Sequence, residues 1–378
     1  MNLHSLETPC LLLDRAILES NIERLQRRLA GAGVPLRPHL KTTKCIDIAR
    51  LMIKGQPGGV TVSTLAEAER FGAAGFRDIL YAVAIAPNKL AHAAAITRSG
   101  VELTLLIDSM EAAAAVGARA RDEGITIPVL LEVDVDGHRS GVSRAPADLV
   151  PLYRAIEGIC GLALRGLITH AGSSYDCTSV SGIEGVAELE RSTMVRAAEA
   201  LRQAGSPCPI VSVGSSPAAL TAKSYAGVTE VRAGVFAFND LTQVRLGVAR
   251  ETDIAISVLT SVIGHHAAGR RIIVDAGWMA LTQEFLLDGN ARTYGRVCDA
   301  GGQPIDDLVV SAVNQEHGIV TRLDRSPIDS AVFPIGTPLR ILPVHACSTA
   351  AAHDRYHVLN HTGDIVAEWR RFGGWTLD

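Results

Sequence analysis

The sequence predicts an α/β protein in which a parallel (β/α)8 barrel is followed by an antiparallel β domain. Eight short β-rich runs follow one another between residues 36 and 236, each separated from the next by a segment long enough for a helix. From about residue 245, β-rich runs alternate instead with short turns. Eight strands that alternate with helices form a closed barrel more readily than an open sheet. An open nucleotide-binding sheet would also carry a Gly-rich phosphate turn, and the chain contains no GxGxxG or Walker-type loop.

A helix is predicted before the first of these runs, in the segment LDRAILESNIERLQRRLAGAG. Apolar residues recur there at the helical period, at Leu18, Ile22, Leu25 and Leu29. Asp14 is placed to cap the N-terminus of this helix, and Gly31 is placed to end it.

The predicted barrel strands are LRPHLK, GVTVST, DILYAV, LTLLID, VLLEVD, RGLITHA, IVSVGS and TEVRAGVF. The segments between them include LAEAERFGAAG, SMEAAAAVGARARDEG and VAELERSTMVRAAEALRQAG, which are rich in Ala, Leu, Glu and Arg and end in glycine. This composition is typical of helices. We therefore expect residues 11–244 to form the barrel.

The β domain is predicted to consist of residues 1–10 together with 245–378. Its runs are DIAISVLTSVIG, RRIIVDAGW, DDLVVSAVNQEHGIVTRL, TPLRILPVHAC, RYHVLN and DIVAEWRR. Short turns between successive runs indicate antiparallel pairing, because parallel strands need long crossover connections.

Composition restricts the class of partner. The chain has 378 residues, of which 47% are hydrophobic and 20% charged, and its formal net charge is −4. This charge gives no electrostatic reason to expect nucleic acid or an anionic membrane as a partner, so a small molecule is the expected ligand. No signal-like N-terminus and no apolar stretch of about 18 residues is present, which predicts a cytoplasmic protein. The seven cysteines are scattered without a CxxC pair, so no disulfide framework is expected.

Lys41 stands at the end of the first predicted strand, in LRPHLKTTK. Functional residues of a parallel barrel lie at the carboxyl ends of its strands. A lysine there can form a Schiff base with an aldehyde cofactor if desolvation or a nearby positive charge lowers its pKa. The alternative is a solvated loop lysine, and we expect Lys44, at the start of the following helix, to be one. His39 alternates with Lys41 on the predicted strand and either lines the site or is a structural histidine.

Glycine and serine residues follow the last two predicted strands. Gly214, Ser215 and Ser216 come after the seventh strand and Gly234 after the eighth. These are ordinary turn residues, but the same two loops commonly hold a phosphate group in barrels. A Schiff-base lysine after the first strand together with a phosphate site after the last two indicates pyridoxal 5'-phosphate.

The motifs RPHLKTTK, EVDVDGHRSGV, THAGSSY, VGSSP, EVRAGVF, DAGW, NQEHG and LRILPVHAC occur in this order. On these motifs the chain resembles, over nearly its full length, the D-serine dehydratase and D-threonine aldolase family of fold-type III pyridoxal-phosphate enzymes. The resemblance implies an alanine-racemase-like architecture, in which the barrel carries the cofactor and the β domain completes the site, usually in a homodimer.

The resemblance also implies the cofactor-binding residues. They are Lys41 for the covalent bond; Ser215, Gly234 and Val235 for the phosphate; Arg139 near the pyridine ring; Tyr175 near the cofactor; and His170 in the motif of Tyr175. Arginine and histidine at strand ends also serve as structural hydrogen-bond donors, which is the alternative for the last three.

A metal pair is predicted in PVHACST. One residue separates His345 from Cys347 in a strand-like run, so both side chains would lie on one face and share a metal ion. The resemblance implies a divalent ion at this pair, and nitrogen and sulfur ligands favour zinc over magnesium or manganese, although another divalent ion is possible. A rival pair is His353 and His357 in HDRYH, if that segment is helical.

The function implied by the resemblance is elimination of water from a D-3-hydroxy amino acid, such as D-threo-3-hydroxyaspartate or D-serine, to give a 2-oxo acid and ammonia. The alternative is an aldolase that yields glycine and an aldehyde. The aldolase branch typically carries aspartate where Cys347 stands, which favours the dehydratase. Racemisation would need no metal, and a non-catalytic pyridoxal-phosphate carrier would resemble the barrel alone, so the metal pair and the β domain argue against both.

Overall fold

The computed structural model describes residues 3–266, 269–289 and 291–375, which divide into two compact units. One unit consists of the residues up to Glu23 together with Val235–Phe372, and the other of Arg24–Gly234 together with the residues from Gly373 onward. The sequence predicts boundaries at 10/11 and 244/245, and both descriptions join an N-terminal segment to the C-terminal β domain.

Strand β1 (Cys10–Asp14) leads directly into helix α1 (Arg15–Gly31). The Oδ1 atom of Asp14 accepts the main-chain N–H of Ile17 at 3.0 Å, which confirms the predicted N-terminal cap. The helix ends at the predicted Gly31, and Gly33 then takes the left-handed conformation of a C-terminal turn, with φ 69°.

Eight parallel strands form the sheet of the second unit. They are β2 (Leu36–Pro38), β3 (Val60–Val62), β4 (Asp78–Ala84), β5 (Glu102–Ile107), β6 (Ile127–Glu132), β7 (Leu162–Ile168), β8 (Ile210–Val213) and β9 (Glu230–Ala233). Their spatial order is β2-β9-β8-β7-β6-β5-β4-β3. A parallel bridge between His39 and Thr61 joins the two ends of this order, and the Leu40 N–H donates to the Thr61 carbonyl at 2.8 Å. The predicted barrel is confirmed, and each of its eight predicted runs overlaps one of these strands.

Helices occupy the connections between these strands. They are α2 (Ile46–Ile53), α3 (Leu65–Ala73), α4 (Leu90–Arg98), α5 (Met110–Asp122), α6 (Pro146–Glu157), α7 (Val180–Gln203) and α8 (Ser216–Thr221), and a 3-10 turn spans Gly172–Tyr175. Hydroxyl side chains start several of them: Thr64, Ser109 and Ser179 each accept a main-chain N–H of the first turn. The βα alternation places the residues that follow β2, β6, β7, β8 and β9 at one end of the barrel.

The other unit contains a nine-stranded sheet. After α9 (Leu241–Arg245), its elements are β10 (Ile256–His265), β11 (Ile272–Val274), β12 (Leu286–Asp288), β13 (Ala291–Thr293), β14 (Gly295–Cys298), β15 (Pro304–Val313), β16 (Gly318–Arg322), β17 (Pro338–Pro343), α10 (Ala346–Ala351), β18 (Arg355–Leu359) and β19 (Ile365–Arg370). Strands β12 and β13 pair with each other, and the remaining strands join β1 in the order β11-β16-β15-β14-β17-β10-β1-β18-β19.

The pairing in this sheet is antiparallel, as predicted, except at one place. Strand β1 pairs antiparallel with β10 on one side but parallel with β18 on the other. Parallel neighbours need a long connection, and here the whole barrel lies between them in the sequence. Across the described residues, no helix combines the length and the hydropathy needed to cross a membrane.

Candidate active site

Lys41 lies in the turn that follows β2. The strand ends at Pro38, His39 makes the bridge to Thr61, and the Lys41 side chain is exposed. The Lys41 main-chain N–H donates to Nδ1 of His39 at 3.4 Å. Lys41 therefore lies at the carboxyl end of the first barrel strand, as predicted. It does not alternate with His39 on a strand face, because the backbone has already turned.

Lys44 differs from its prediction. Its side chain is only 13% exposed, and its Nζ lies 3.0 Å from Oε1 of the fully buried Glu67. Lys44 also adopts a left-handed conformation, with φ 41°, and helix α2 begins only at Ile46. The prediction of a solvated lysine at the start of a helix was wrong, because the carboxylate that buries Lys44 belongs to the next βα repeat.

Positive charges converge at the carboxyl end of the barrel. Burial lowers the pKa of His39 well below its usual value, and the charges of Lys41 and Arg232 lower it further. Burial and the neighbouring Arg139 lower the pKa of His170 to about 3. Both imidazoles are therefore neutral near pH 7. Lys41, Arg139 and Arg232 supply the positive charge of this region, which suits an anionic group.

His170 is held in a defined tautomer. Its Nδ1 lies 3.1 Å from the carbonyl oxygen of Gly214. A carbonyl oxygen only accepts, so Nδ1 of the neutral ring must carry the proton and Nε2 must be an acceptor. The ring of Tyr175, at the end of the 3-10 turn after β7, has its centroid 6.5 Å from that of His170. The structure thus brings His170 and Tyr175 together.

Strands β8 and β9 are each followed by a glycine at which a side chain would clash with neighbouring main chain. A Cβ atom on Gly214 would lie 2.4 Å from the carbonyl oxygen of Arg232, and one on Gly234 would lie 2.6 Å from that of His39. The hydroxyl of Ser215 accepts the N–H of Ala218 at 3.3 Å at the start of α8. The close main-chain approach at these two glycines, the serine hydroxyl groups and the nearby cations together fit a phosphate ester.

Two further contacts lie beside these loops. The Gly234 N–H donates to Oγ of Ser216 at 3.3 Å, and Oγ of Ser215 lies 3.0 Å from Oγ of Ser174. Val235, which follows Gly234, begins the 3-10 turn Val235–Ala237. Side-chain hydroxyls from the segments after β7 and β8 therefore meet at the predicted phosphate position.

The exposed Arg139 lies in the loop after β6, which is fixed at two points. Oδ2 of Asp136 accepts the main-chain N–H of Ser173 at 3.0 Å and its hydroxyl at 2.8 Å. The hydroxyl of Ser140 donates to Oε2 of Glu132 at 3.1 Å. The loop that carries Arg139 is thus tied to the end of β6 and to the turn that contains Tyr175.

The predicted metal pair lies at a strand-to-helix corner. Strand β17 ends at Pro343, His345 is extended with φ −134° and ψ 111°, and Cys347 lies in the first turn of α10. The expectation that both residues belong to one strand was wrong, because β17 does not continue past the proline. Their side chains nevertheless meet: burial lowers the pKa of His345, whereas hydrogen bonds to Cys347 and Glu284 raise it to about 11.

Two acidic residues that the sequence did not reveal surround this corner. Oε2 of Glu284 lies 2.8 Å from Nδ1 of His345, and the hydroxyl of Ser348 donates to Oε1 of Glu284 at 2.5 Å. Oδ2 of the buried Asp240 accepts the N–H of Ala346, the residue between His345 and Cys347, at 2.9 Å. Asp240 has the pattern of a helix cap in the sequence, and no local signal connects Glu284 with a histidine 61 positions away.

The donor set of the pair fits a metal ion. A histidine that donates Nδ1–H to a carboxylate keeps Nε2 for a metal, and this is the usual arrangement around protein-bound metals. Among residues 3–266, 269–289 and 291–375, no group of three or more His, Cys, Asp or Glu side chains is arranged to hold a metal ion. A metal ion held by these two protein ligands, fewer than the three usual at catalytic zinc, would have positions for water or substrate oxygen.

The rival pair is not supported. Residues 353–357 do not form a helix, because His353 lies in a loop and His357 in β18. Nε2 of His353 lies 2.9 Å from the carbonyl oxygen of Ala280, whereas Nδ1 of His357 lies 3.9 Å from Glu368. The two imidazoles are each engaged by a different partner.

Comparisons with known proteins agree with this fold and these motifs. Residues 13–241 match a family model described as "Alanine racemase, N-terminal domain", and residues 255–359 match one described as "Putative serine dehydratase domain". The chain is 47% identical to D-threo-3-hydroxyaspartate dehydratase of Delftia sp. (strain HT23), over 98% of each chain. It is 30% identical to D-serine dehydratase of Dictyostelium discoideum, over 99% of this chain and 98% of that one. It is 27% identical to 3-hydroxy-D-aspartate aldolase of Paracoccus denitrificans (strain Pd 1222), over 98% of this chain and 92% of that one.

Solved structures agree as well. The Delftia dehydratase superimposes with a TM-score of 0.95 at 45% identity, covering 99% of both chains. Structures of D-threo-3-hydroxyaspartate dehydratase in which a histidine, or a cysteine two positions further on, is replaced by alanine also match with a TM-score of 0.95, and the cysteine variant is in a metal-free form. The fold and the matches together define a fold-type III pyridoxal-phosphate lyase. The chain belongs to the D-serine dehydratase and D-threonine aldolase family.

Proposed function

We propose that this protein is a pyridoxal-phosphate- and zinc-dependent dehydratase. Its substrate is a D-3-hydroxy amino acid, D-threo-3-hydroxyaspartate or D-serine, and its products are a 2-oxo acid and ammonia. The observation that carries the proposal is the pair of His345 and Cys347, whose side chains hydrogen-bond beside Glu284. Their two-position spacing equals that of the histidine and cysteine exchanged in the dehydratase structures.

The cofactor would bind at the carboxyl end of the barrel. Lys41 holds it covalently; Ser215, Gly234 and Val235 contact its phosphate; and Arg139, His170 and Tyr175 lie around its ring. Support comes from the side-chain-free approach at Gly214 and Gly234 and from the positive charges near His39 and His170. When bound, pyridoxal phosphate supplies an electron sink for negative charge at the substrate Cα.

The chain's own groups would move the protons. With the cofactor bound to the substrate amine, the Lys41 amine would be free to take the proton from Cα as general base. His170, neutral and protonated on Nδ1, offers Nε2 as an acceptor and adds no positive charge beside that amine. Loss of the Cα proton and of the β-hydroxyl group together as water would leave an enamine, which tautomerises to an imine and is hydrolysed by water to the 2-oxo acid and ammonia.

Zinc is the proposed metal because imidazole and thiolate are its preferred ligands, whereas magnesium and manganese prefer oxygen. His345 would bind through Nε2, since Glu284 engages Nδ1, and Cys347 through its thiolate. A metal ion bound there supplies Lewis acidity toward a departing hydroxyl group. The alternative reaction, aldol cleavage, is favoured by the aldolase relative but not by the cysteine at position 347.

One experiment decides between these reactions. Purified protein is incubated with D-serine, D-threonine and D-threo-3-hydroxyaspartate, with and without a chelator, and the L-enantiomers serve as controls. Oxo acid and ammonia from the D-substrates, lost on chelation and restored by zinc, is the expected result. Glycine and an aldehyde as products would overturn dehydration in favour of the aldolase.

The remaining expectations belong to the same proposal. The protein acts as a cytoplasmic homodimer, with the cofactor carried by the barrel and the metal pair by the β domain. Light scattering coupled to size-exclusion chromatography tests the dimer: a mass near twice 40.0 kDa is expected, and a monomer mass would overturn it.

A further inference from the structure

We propose that Glu190 is a positioning residue for the cofactor site, in which one buried carboxylate oxygen fixes the two barrel loops that carry His170 and Ser215. This inference rests on the proposed function, because it concerns the site assigned there to pyridoxal phosphate. Glu190 lies on the long helix α7, on the face that also buries Ala187 and Met194, and belongs to none of the motifs named above.

The contacts of Glu190 connect two loops that are far apart in the sequence. Its Oε1 accepts the main-chain N–H of Ala171 at 3.0 Å and that of Gly214 at 3.2 Å. Ala171 follows β7 and Gly214 follows β8. The side chain is 2% exposed, so water does not offer these two N–H groups a replacement.

Gly214 connects Glu190 with His170 through two main-chain hydrogen bonds. Its N–H is held by Glu190, and its carbonyl oxygen accepts the proton of His170 Nδ1 at 3.1 Å. Gly214 has φ 128°, a conformation that other residues rarely adopt, and it lies against the main chain of Arg232. Because glycine itself does not restrict this conformation, its neighbours must hold it, and the hydrogen bond to the Glu190 carboxylate is one of these contacts.

An alternative role for Glu190 is charge balance. The fully buried Arg232 is close enough that the two charges influence each other. Positioning and charge balance require different properties of the Glu190 side chain. Positioning needs an oxygen acceptor at the right distance, whereas charge balance needs a negative charge and tolerates a shorter side chain.

Two conservative variants separate these roles. Glu190→Gln keeps an acceptor oxygen at the same reach and removes the charge. Glu190→Asp keeps the charge and loses one methylene of reach. Glu188→Ala is the matched control, because Glu188 lies on the same helix but points to solvent, where it pairs with Arg191 at 2.6 Å.

The first measurement is the affinity of each protein for pyridoxal phosphate, from the cofactor's absorbance. Losing a buried acceptor for two N–H groups is expected to weaken the affinity of Glu190→Asp by about tenfold. Glu190→Gln is expected to stay within about twofold of the wild type, as is Glu188→Ala. If Glu190→Asp bound pyridoxal phosphate normally and Glu190→Gln bound it weakly, charge balance would replace positioning as the role of Glu190. Equal affinities of the two variants for pyridoxal phosphate would contradict the positioning role.

The second measurement is the tautomer of His170, from the ¹⁵N chemical shifts of its ring in protein without cofactor. A predominantly Nδ1-protonated ring in the wild type and in Glu190→Gln, with a mixture in Glu190→Asp, is expected. An unchanged tautomer in Glu190→Asp would contradict the proposal. If the wild-type protein failed to bind pyridoxal phosphate, the proposed function would fall, and the tautomer would still decide whether Glu190 positions His170.

Discussion

Nδ1 of His345 lies 2.8 Å from Oε2 of Glu284, a residue 61 positions earlier in the chain. This contact fixes which ring nitrogen of His345 is available, because the nitrogen that faces the carboxylate carries a proton. The contact with Glu284 therefore leaves Nε2 of His345 as the nitrogen that can bind a metal ion together with Cys347.

Removing the Glu284 carboxylate is expected to weaken metal binding. Glu284→Ala frees the His345 ring to rotate, and loss of such a partner typically costs about 10- to 100-fold in metal affinity. Competition with a zinc chelator measures this affinity directly, without an activity assay. Exposed Glu316→Ala is the control, and equal affinities in the two variants would argue against a role for Glu284.

Lys41 and Lys44 are expected to respond in opposite ways. Lys41→Ala should abolish the visible absorbance of bound cofactor and leave the unfolding midpoint nearly unchanged, because the Lys41 side chain is exposed. Lys44→Met should keep the absorbance and lose about 3–5 kcal/mol of unfolding free energy, because the buried Glu67 is left without its counter-charge. Absorbance titration and denaturant unfolding of both variants test these expectations. Loss of the cofactor absorbance in Lys44→Met alone would show that Lys44, and not Lys41, binds the cofactor.

His170 is expected to make the fold sensitive to acid. Burial and Arg139 lower its pKa in the folded protein to about 3, whereas an unfolded histidine has a pKa of 6.5. The unfolded state therefore binds the extra proton first, and stability falls as the pH drops from 6.5 towards 3, by at most about 1.4 kcal/mol per pH unit. Above pH 6.5 this contribution is constant. Denaturant midpoints of wild type and His170→Gln across this range should diverge below pH 6.5, and parallel curves would contradict the shift.

Two glycines of the barrel unit should respond oppositely to alanine. At Gly214 the new Cβ would lie 2.4 Å from the Arg232 carbonyl in a left-handed backbone, so Gly214→Ala should destabilise the fold and weaken cofactor binding. At Gly185, within α7, a Cβ meets no atom within 4 Å, so Gly185→Ala should gain roughly 0.5–1 kcal/mol through helix propensity. Thermal unfolding of both variants tests this, and a stable Gly214→Ala with unchanged cofactor affinity would refute the close approach.

The sequence was sufficient to predict those features that depend on residues close together in the chain. Apolar runs of strand length located all eight barrel strands, and Asp14 was recognised as a cap because its partner, Ile17, is three residues away. The turn after β2 placed Lys41 at the functional end of the barrel because a parallel barrel has only one such end.

Prediction was incomplete where the partner is distant. The environment of Lys44 depends on Glu67, and that of His345 depends on Glu284. A spacing of two residues is also compatible with both a strand and a strand-to-helix corner, which is why the geometry of His345 and Cys347 was misjudged. Glu190 was missed because its two hydrogen-bond donors belong to loops, although its helical position lies on the buried face of α7 with Ala187 and Met194.

The bridge between His39 and Thr61 closes the barrel between its first two strands, β2 and β3. Strands β2 and β3 each contain three residues, and they are joined by this bridge, by the hydrogen bond from the Leu40 N–H to Thr61 and by one from the Arg37 guanidinium to the Val60 carbonyl at 3.4 Å. In the terms of hydrogen exchange, such a junction opens at a lower free energy than the longer pairing of β4 with β5. This junction, which we expect to open more easily than the pairing of β4 with β5, lies directly beside Lys41.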